Sequence, residues 1–81
     1  MKVKVKFFST YRDIFGRHAE DMEFPDNATV MDILTRLESE KPESAEYHNV
    51  MQIAVNWERA TKKTPIQNGD EVALIPPVIG G

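Results

Sequence analysis

The stretch TVMDILTRLESEKP, running from Thr29 to Pro42, decides how the rest of the chain is read. Thr29 has the chemistry of a helix N-cap, and Asp32 stands three residues on in the acidic place of a capping-box variant. Val30, Ile33, Leu34 and Leu37 then fall at i, i+3, i+4 and i+7, the stripe that an amphipathic helix turns toward a core. Arg36, Glu38, Glu40 and Lys41 cover the outer side, and Pro42 ends the helix. The periodicity supports no second helix of this quality, so one helix has to cover whatever sheet the flanking segments build.

Those segments read as strands. On the N-terminal side, Lys2 to Phe7 alternates strictly: Val3, Val5 and Phe7 point one way and Lys2, Lys4 and Lys6 the other. The lysine row is thus the solvated side of a strand, and Phe8 breaks the pattern by adding an aromatic to that side. Ser9 to Gly16 reads as a short turn-like stretch holding Ile14 and Phe15, and His18 to Phe24 alternates again until Pro25-Asp26-Asn27 stops it. Two strands with a compact connection form an antiparallel pair. On the C-terminal side, Pro42 to Val50 has no clear period and reads as a loop. Met51 to Asn56 is a third strand, Trp57 to Thr64 is polar and reads as a turn with a short strand end, and Gly69 suits a turn with positive φ. Glu71 to Ile75 is a last, β-branched strand that Pro76-Pro77 forbids from continuing. Strand, strand, helix, strands is an α+β order. Its economical solution is the β-grasp: a mixed sheet with one main helix packed on one face. The other face then meets water or a partner, and alternation puts Phe8, Ala73 and Ile75 on it. Residues 1–76 are expected to form this domain, with 77–81 a flexible tail.

Composition narrows the function. The chain has 81 residues, near the lower limit for a single apolar core, and a net charge of −3, which argues against nucleic-acid binding. No apolar run reaches membrane-span length and the N-terminus lacks a signal-peptide layout, so a cytoplasmic protein is the expectation. The absence of cysteine excludes thiol chemistry and thiolate metal sites. His18 and His48 show no ligand spacing, so no metal site is expected and both read as ordinary surface histidines. Ser9, Thr10 and Thr29 have no identifiable base, the carboxylates are dispersed, and Gly16 and Gly69 stand alone. Trp57 reads as packed beside its turn, with an interface anchor as the alternative.

What remains is the run Ala73-Leu74-Ile75-Pro76-Pro77-Val78-Ile79-Gly80-Gly81, with no charged residue after Glu71. The bland reading is a docked strand that happens to end in glycine. The functional reading is an extended arm: the prolines fix φ, and the five residues beyond Pro76 reach roughly 15–17 Å. Glycines without Cβ atoms let a narrow slot approach the backbone closely. A terminal carboxylate, once adenylated, is an electrophile that sulfide equivalents convert to a thiocarboxylate, so a chain without cysteine can carry sulfur in this way.

The string GDEVALIPPVIGG from Gly69 to Gly81 resembles the MoaD/ThiS family of ubiquitin-like sulfur carriers, and within it the small subunits of molybdopterin synthase. So do Val5-Lys6-Phe7-Phe8, the Tyr11-Arg12-Asp13 to Gly16 stretch and Ala54-Val55-Asn56, so that the match runs from end to end. The resemblance implies that an E1-like adenylating enzyme (MoeB-like) activates Gly81 with ATP and that a sulfur donor system makes the thiocarboxylate, with no cofactor bound. It implies further that Pro77, Val78, Ile79 and Gly80 enter the active site of a large subunit (MoaE-like), in a heterotetramer of two small and two large subunits. There Gly81 gives its sulfur to cyclic pyranopterin monophosphate during molybdenum cofactor biosynthesis. Phe8, Leu74, Ile75 and Pro76 match the apolar residues that dock partners. On this implication the chain has no activity alone. Leu74-Ile75 departs from a more aromatic pair, and Trp57 after Asn56 is unusual for the family. Two other readings share the Gly81 chemistry: a sulfur carrier for thiazole or amino-acid biosynthesis, and a ubiquitin-like modifier that forms isopeptides with lysines.

Overall fold

In the computed structural model, which describes residues 1–78, the alternating segments pair into one five-stranded sheet of order β2-β1-β5-β3-β4. The strands are β1 (Lys2–Phe7), β2 (Ala19–Glu23), β3 (Gln52–Val55), β4 (Glu58–Ala60) and β5 (Glu71–Ile75). The helices are α1 (Ser9–Phe15) and α2 (Val30–Glu40), followed by a 3₁₀ turn over Pro42–Tyr47. β1 and β5 run parallel at the centre, and the β1–β2, β3–β4 and β3–β5 pairs are antiparallel. Register follows side-chain chemistry. Val5 lies opposite Val72 and Phe7 opposite Leu74, so the inward rows of the two central strands coincide.

α2 forms where its stripe predicts and buries Val30, Ile33, Leu34 and Leu37 against that inward face. The Asp32 carboxylate accepts the Thr29 backbone N–H at 2.7 Å, and the Asp32 N–H donates to the Thr29 carbonyl at 3.0 Å, so the first turn is closed from both sides. Ile53, Val72, Leu74, Met22 and Phe24 complete the core from the sheet side.

Two segments differ from the sequence reading. Ser9–Phe15 is a helix rather than a turn-like stretch, so α2 is not alone. Seven residues are too few to hold a helix by propensity, and tertiary packing supplies what propensity lacks. Tyr11 and Phe15, at i and i+4, meet edge to face with ring centroids 5.4 Å apart, and Phe15 lies 5.2 Å from Phe7. Gly16, at φ 70°, ends α1 in the left-handed conformation that glycine adopts without strain. The second segment, Pro42 to Val50, is not a loop throughout. Pro42 starts a 3₁₀ turn that carries Ser44 into the interior, where the Ser44 carbonyl accepts the Tyr11 hydroxyl at 2.9 Å. That long-range bond is invisible to any periodicity.

Candidate functional site: an open sheet face leading to the chain exit

With α1, α2 and the 3₁₀ turn gathered over the inward face, the outward face of β1, β5, β3 and β4 stays uncovered by the described residues. Lys6 pairs in register with Ala73, and Ala73 with Ala54, so the floor of this face is made of small residues. Around that floor stand Phe8 (39% exposed), Ile75 and Trp57 (81% exposed), enclosing a shallow hollow of about 250 Å³. The Lys6 ammonium and the Glu71 carboxylate, 3.4 Å apart, edge the same hollow. Ile75 is also the near wall of a second groove of about 230 Å³, formed with Val50, Gln52, Pro76, Pro77 and Val78. The two hollows therefore share Ile75 as a wall, and the second follows the chain as it leaves the sheet. Val78 is 84% exposed.

The predicted site residues divide accordingly. Phe8 and Ile75 lie on the open face, and Pro77 and Val78 are exposed or line the exit groove. Leu74 requires correction as a docking residue: its side chain is 0% exposed and packed in the core. The strand alternates with period two, so Leu74 and Ile75 cannot share a face. Pro76 is corrected too, because it is buried where it closes β5 and only borders the exit groove. Ile79, Gly80 and Gly81 lie outside the described residues.

Trp57 was read as packed beside its turn, and it is not. Asn56 and Trp57 form the two-residue connection between Val55 and Glu58, with φ of 52° and 68°. Two successive positive φ values mark a type I′ hairpin turn, whose second position favours glycine. An indole there carries strain of about 1–2 kcal/mol. The turn is held in place by Asn56, whose side-chain oxygen accepts the Glu71 N–H at 3.0 Å and whose amide donates to Asp70 at 2.9 Å. The signal in the sequence was the pair Asn56-Trp57 between two alternating segments.

Among the described residues no catalytic set assembles. Among the described residues, no three His, Asp or Glu side chains converge as metal ligands, and no helix is long and apolar enough to cross a membrane. A cleft of about 550 Å³ runs between the end of β2 and α2, but Arg36 on its rim is already engaged. It donates to the Glu23 carbonyl at 2.7 Å and stacks 4.1 Å over the Phe24 ring. His48, read as a surface histidine, is only 9% exposed. Burial pushes its pKa down, partly countered by Glu38, whose carboxylate lies 3.8 Å from Nδ1, while the Lys62 charge lowers it further. Burial likewise raises the Tyr11 hydroxyl to about 12. Both groups are structural.

A five-stranded mixed sheet gripping a helix, an uncovered apolar face and a chain exit beside it define a β-grasp protein of the ubiquitin-like class. The model of the ThiS family matches residues 5–81, and the chain belongs to that family. It is 32% identical to a molybdopterin synthase sulfur carrier subunit of Chlamydomonas reinhardtii, over the whole of both chains. A solved protein–protein complex of subunits 1 and 2 of the molybdopterin-converting factor from Helicobacter pylori contains a chain 30% identical to this one. That chain superposes with a TM-score of 0.63, and the match covers both chains completely. The crystal structure of the small archaeal modifier protein 1 of Haloferax volcanii superposes with a TM-score of 0.80 at 26% identity, covering 95% of this chain and 98% of that one.

Proposed function

We propose that this chain is the sulfur-carrier subunit of a molybdopterin synthase and that Gly81 is its reacting residue. The observation that carries the reading is similarity to a carrier subunit over the full length of both proteins, with the family match running through Gly81. An adenylating partner joins the Gly81 carboxylate to the α-phosphate of ATP and releases pyrophosphate. A sulfide equivalent then displaces AMP, leaving a thiocarboxylate. Inside the large subunit the sulfur passes to cyclic pyranopterin monophosphate, and water supplies the oxygen that regenerates the Gly81 carboxylate. The carrier supplies no catalytic side chain. It supplies Pro77, Val78, Ile79 and Gly80 as the approach, and an open face through Phe8 and Ile75 by which a partner holds the domain while the tail is inserted. Burying such apolar area contributes roughly 25 cal/mol per Å² before the entropy of association is subtracted.

The test is the intact mass of the full chain after incubation with an adenylating enzyme, ATP and a sulfur source. The expected gain is one sulfur minus one oxygen at Gly81, and the large subunit with the pterin precursor should reverse it. An unchanged mass refutes the carrier reading. Isopeptide adducts on lysines, with no thiocarboxylate, would make the chain a modifier instead. Deleting Gly81 or adding one residue after it should abolish transfer and leave the unfolding temperature unchanged.

A further inference from the structure

Trp57 combines three properties that packing does not explain. It is the sole tryptophan of the chain, it is 81% exposed, and it occupies a hairpin position where its backbone is strained. A strained, exposed aromatic on a clamped turn gains nothing for the isolated fold, and glycine would be more stable in its place. It is also not an isolated surface apolar residue, since it closes the hollow shared with Phe8 and Ile75.

We propose that Trp57 is a specificity-determining anchor that inserts into a pocket of the large synthase subunit, at the end of the open face opposite the tail. The proposal rests on the carrier reading above. It commits to the large subunit because a neighbour 30% identical to this chain is solved with subunit 2 of its converting factor. Position supports it. β3 runs antiparallel to β5, so that Gln52 meets Ile75 at the exit while Val55, next to the turn, meets Val72. Three to four residues of strand put Trp57 about 10–13 Å from Ile75 along the sheet. Contact at both ends of that lever fixes the angle at which the tail enters, which contact near Ile75 alone does not.

Charge does not single out one end of this face. Register places Lys2, Lys4, Lys6 and Arg59 on it together with Asp21, Glu23 and Glu71, so its charges nearly balance. What specifies the receiving surface is the indole, which calls for an apolar pocket of its own size.

The experiment uses the full chain and its Trp57→Gly variant. Binding to the large subunit is measured by calorimetry, and thermal unfolding of each carrier is followed alone. A single fluorotryptophan label at Trp57 gives one ¹⁹F signal that reports directly on this residue. The expected result is an affinity at least about 30-fold weaker for Trp57→Gly, together with an unfolding temperature raised by roughly 4–8 °C as the strain is relieved. In the wild type the ¹⁹F signal moves when the large subunit is added. A purely structural role for Trp57 predicts the opposite sign of the thermal shift. Unchanged affinity in Trp57→Gly, with Ile75→Asp still abolishing binding, overturns the anchor and leaves the carrier reading standing. A wild-type chain that fails to bind the large subunit overturns both. Loss of affinity confined to the adenylating enzyme overturns the choice of partner and with it the proposal.

Discussion

Leu74 and Ile75 are neighbours of similar size in one strand, and the structure assigns them opposite fates. Leu74 is fully buried between Phe7 on β1 and Ile53 on β3, its direct partners in register, and belongs to the core cluster with Leu34 and Leu37. Truncation to alanine removes three carbons from a site walled by sheet on both flanks, which leaves little freedom to collapse. The expected loss is about 3 kcal/mol. A domain of this size holds about 4–12 kcal/mol in total, and each kcal/mol moves its unfolding temperature by roughly 4–8 °C. Leu74→Ala should therefore unfold at least about 12 °C earlier. Ile75 stands on the open face, and Ile75→Ala should change stability by about 1 kcal/mol or less. Binding should sort the other way: Ile75→Ala weakens partner affinity at a temperature where both variants are folded, and Leu74→Ala does not. Circular dichroism melts and urea titrations of both variants, followed by calorimetry against the large subunit at 15 °C, make the comparison. If the two variants melt within a few degrees of each other, or if Leu74→Ala is the one that loses affinity while folded, the inward assignment of Leu74 is wrong and the docking face must be redrawn.

Two further outcomes follow from particular groups. Burial lowers the His48 pKa, so its folded value lies below the unfolded value of about 6.5. The unfolded chain then binds the extra proton first as pH falls, and the stability present above pH ~6.5 is lost progressively below it; His48→Gln should flatten urea midpoints measured between pH 7 and 5, and an unaltered slope in that variant would remove His48 as the cause. Asp32→Ala deletes the acceptor of the Thr29 N–H and should cost about 1 kcal/mol, read as a fall in the urea midpoint without a change in slope. An unchanged midpoint would show that the Thr29 carbonyl bond alone closes the first turn.

The strands and α2 were legible because their signals are local. A period of two or of 3.6, a cap and a proline stop each lie within a dozen residues, and each matched its tertiary environment. α1 was not legible, since its seven residues are helical only because Tyr11 and Phe15 find Phe7, Tyr47 and the Ser44 carbonyl. His48 was misplaced for the same reason: a segment without period was assumed to lie outside, yet the 3₁₀ turn draws it under α2. The site was legible in its chemistry and less so in its surface. Family resemblance alone put Leu74 and Ile75 together on the docking face, while the alternation read from the same residues had already separated them. Where the two disagreed, the geometry of the strand was the better guide.

Trp57 shows what local reading misses at a site. Propensity treats Asn56-Trp57 as a poor turn, and a poor turn in a short chain is first read as a loop residue tucked against its neighbours. In the fold the turn is clamped by two side-chain bonds from Asn56. The strain is therefore retained rather than relaxed, and the indole is held outward. A segment that violates its own local preference, and is rigidly kept that way beside an uncovered apolar face, points to a constraint imposed from outside the monomer. On the carrier reading proposed above, specificity then resides in how this surface fits a partner protein.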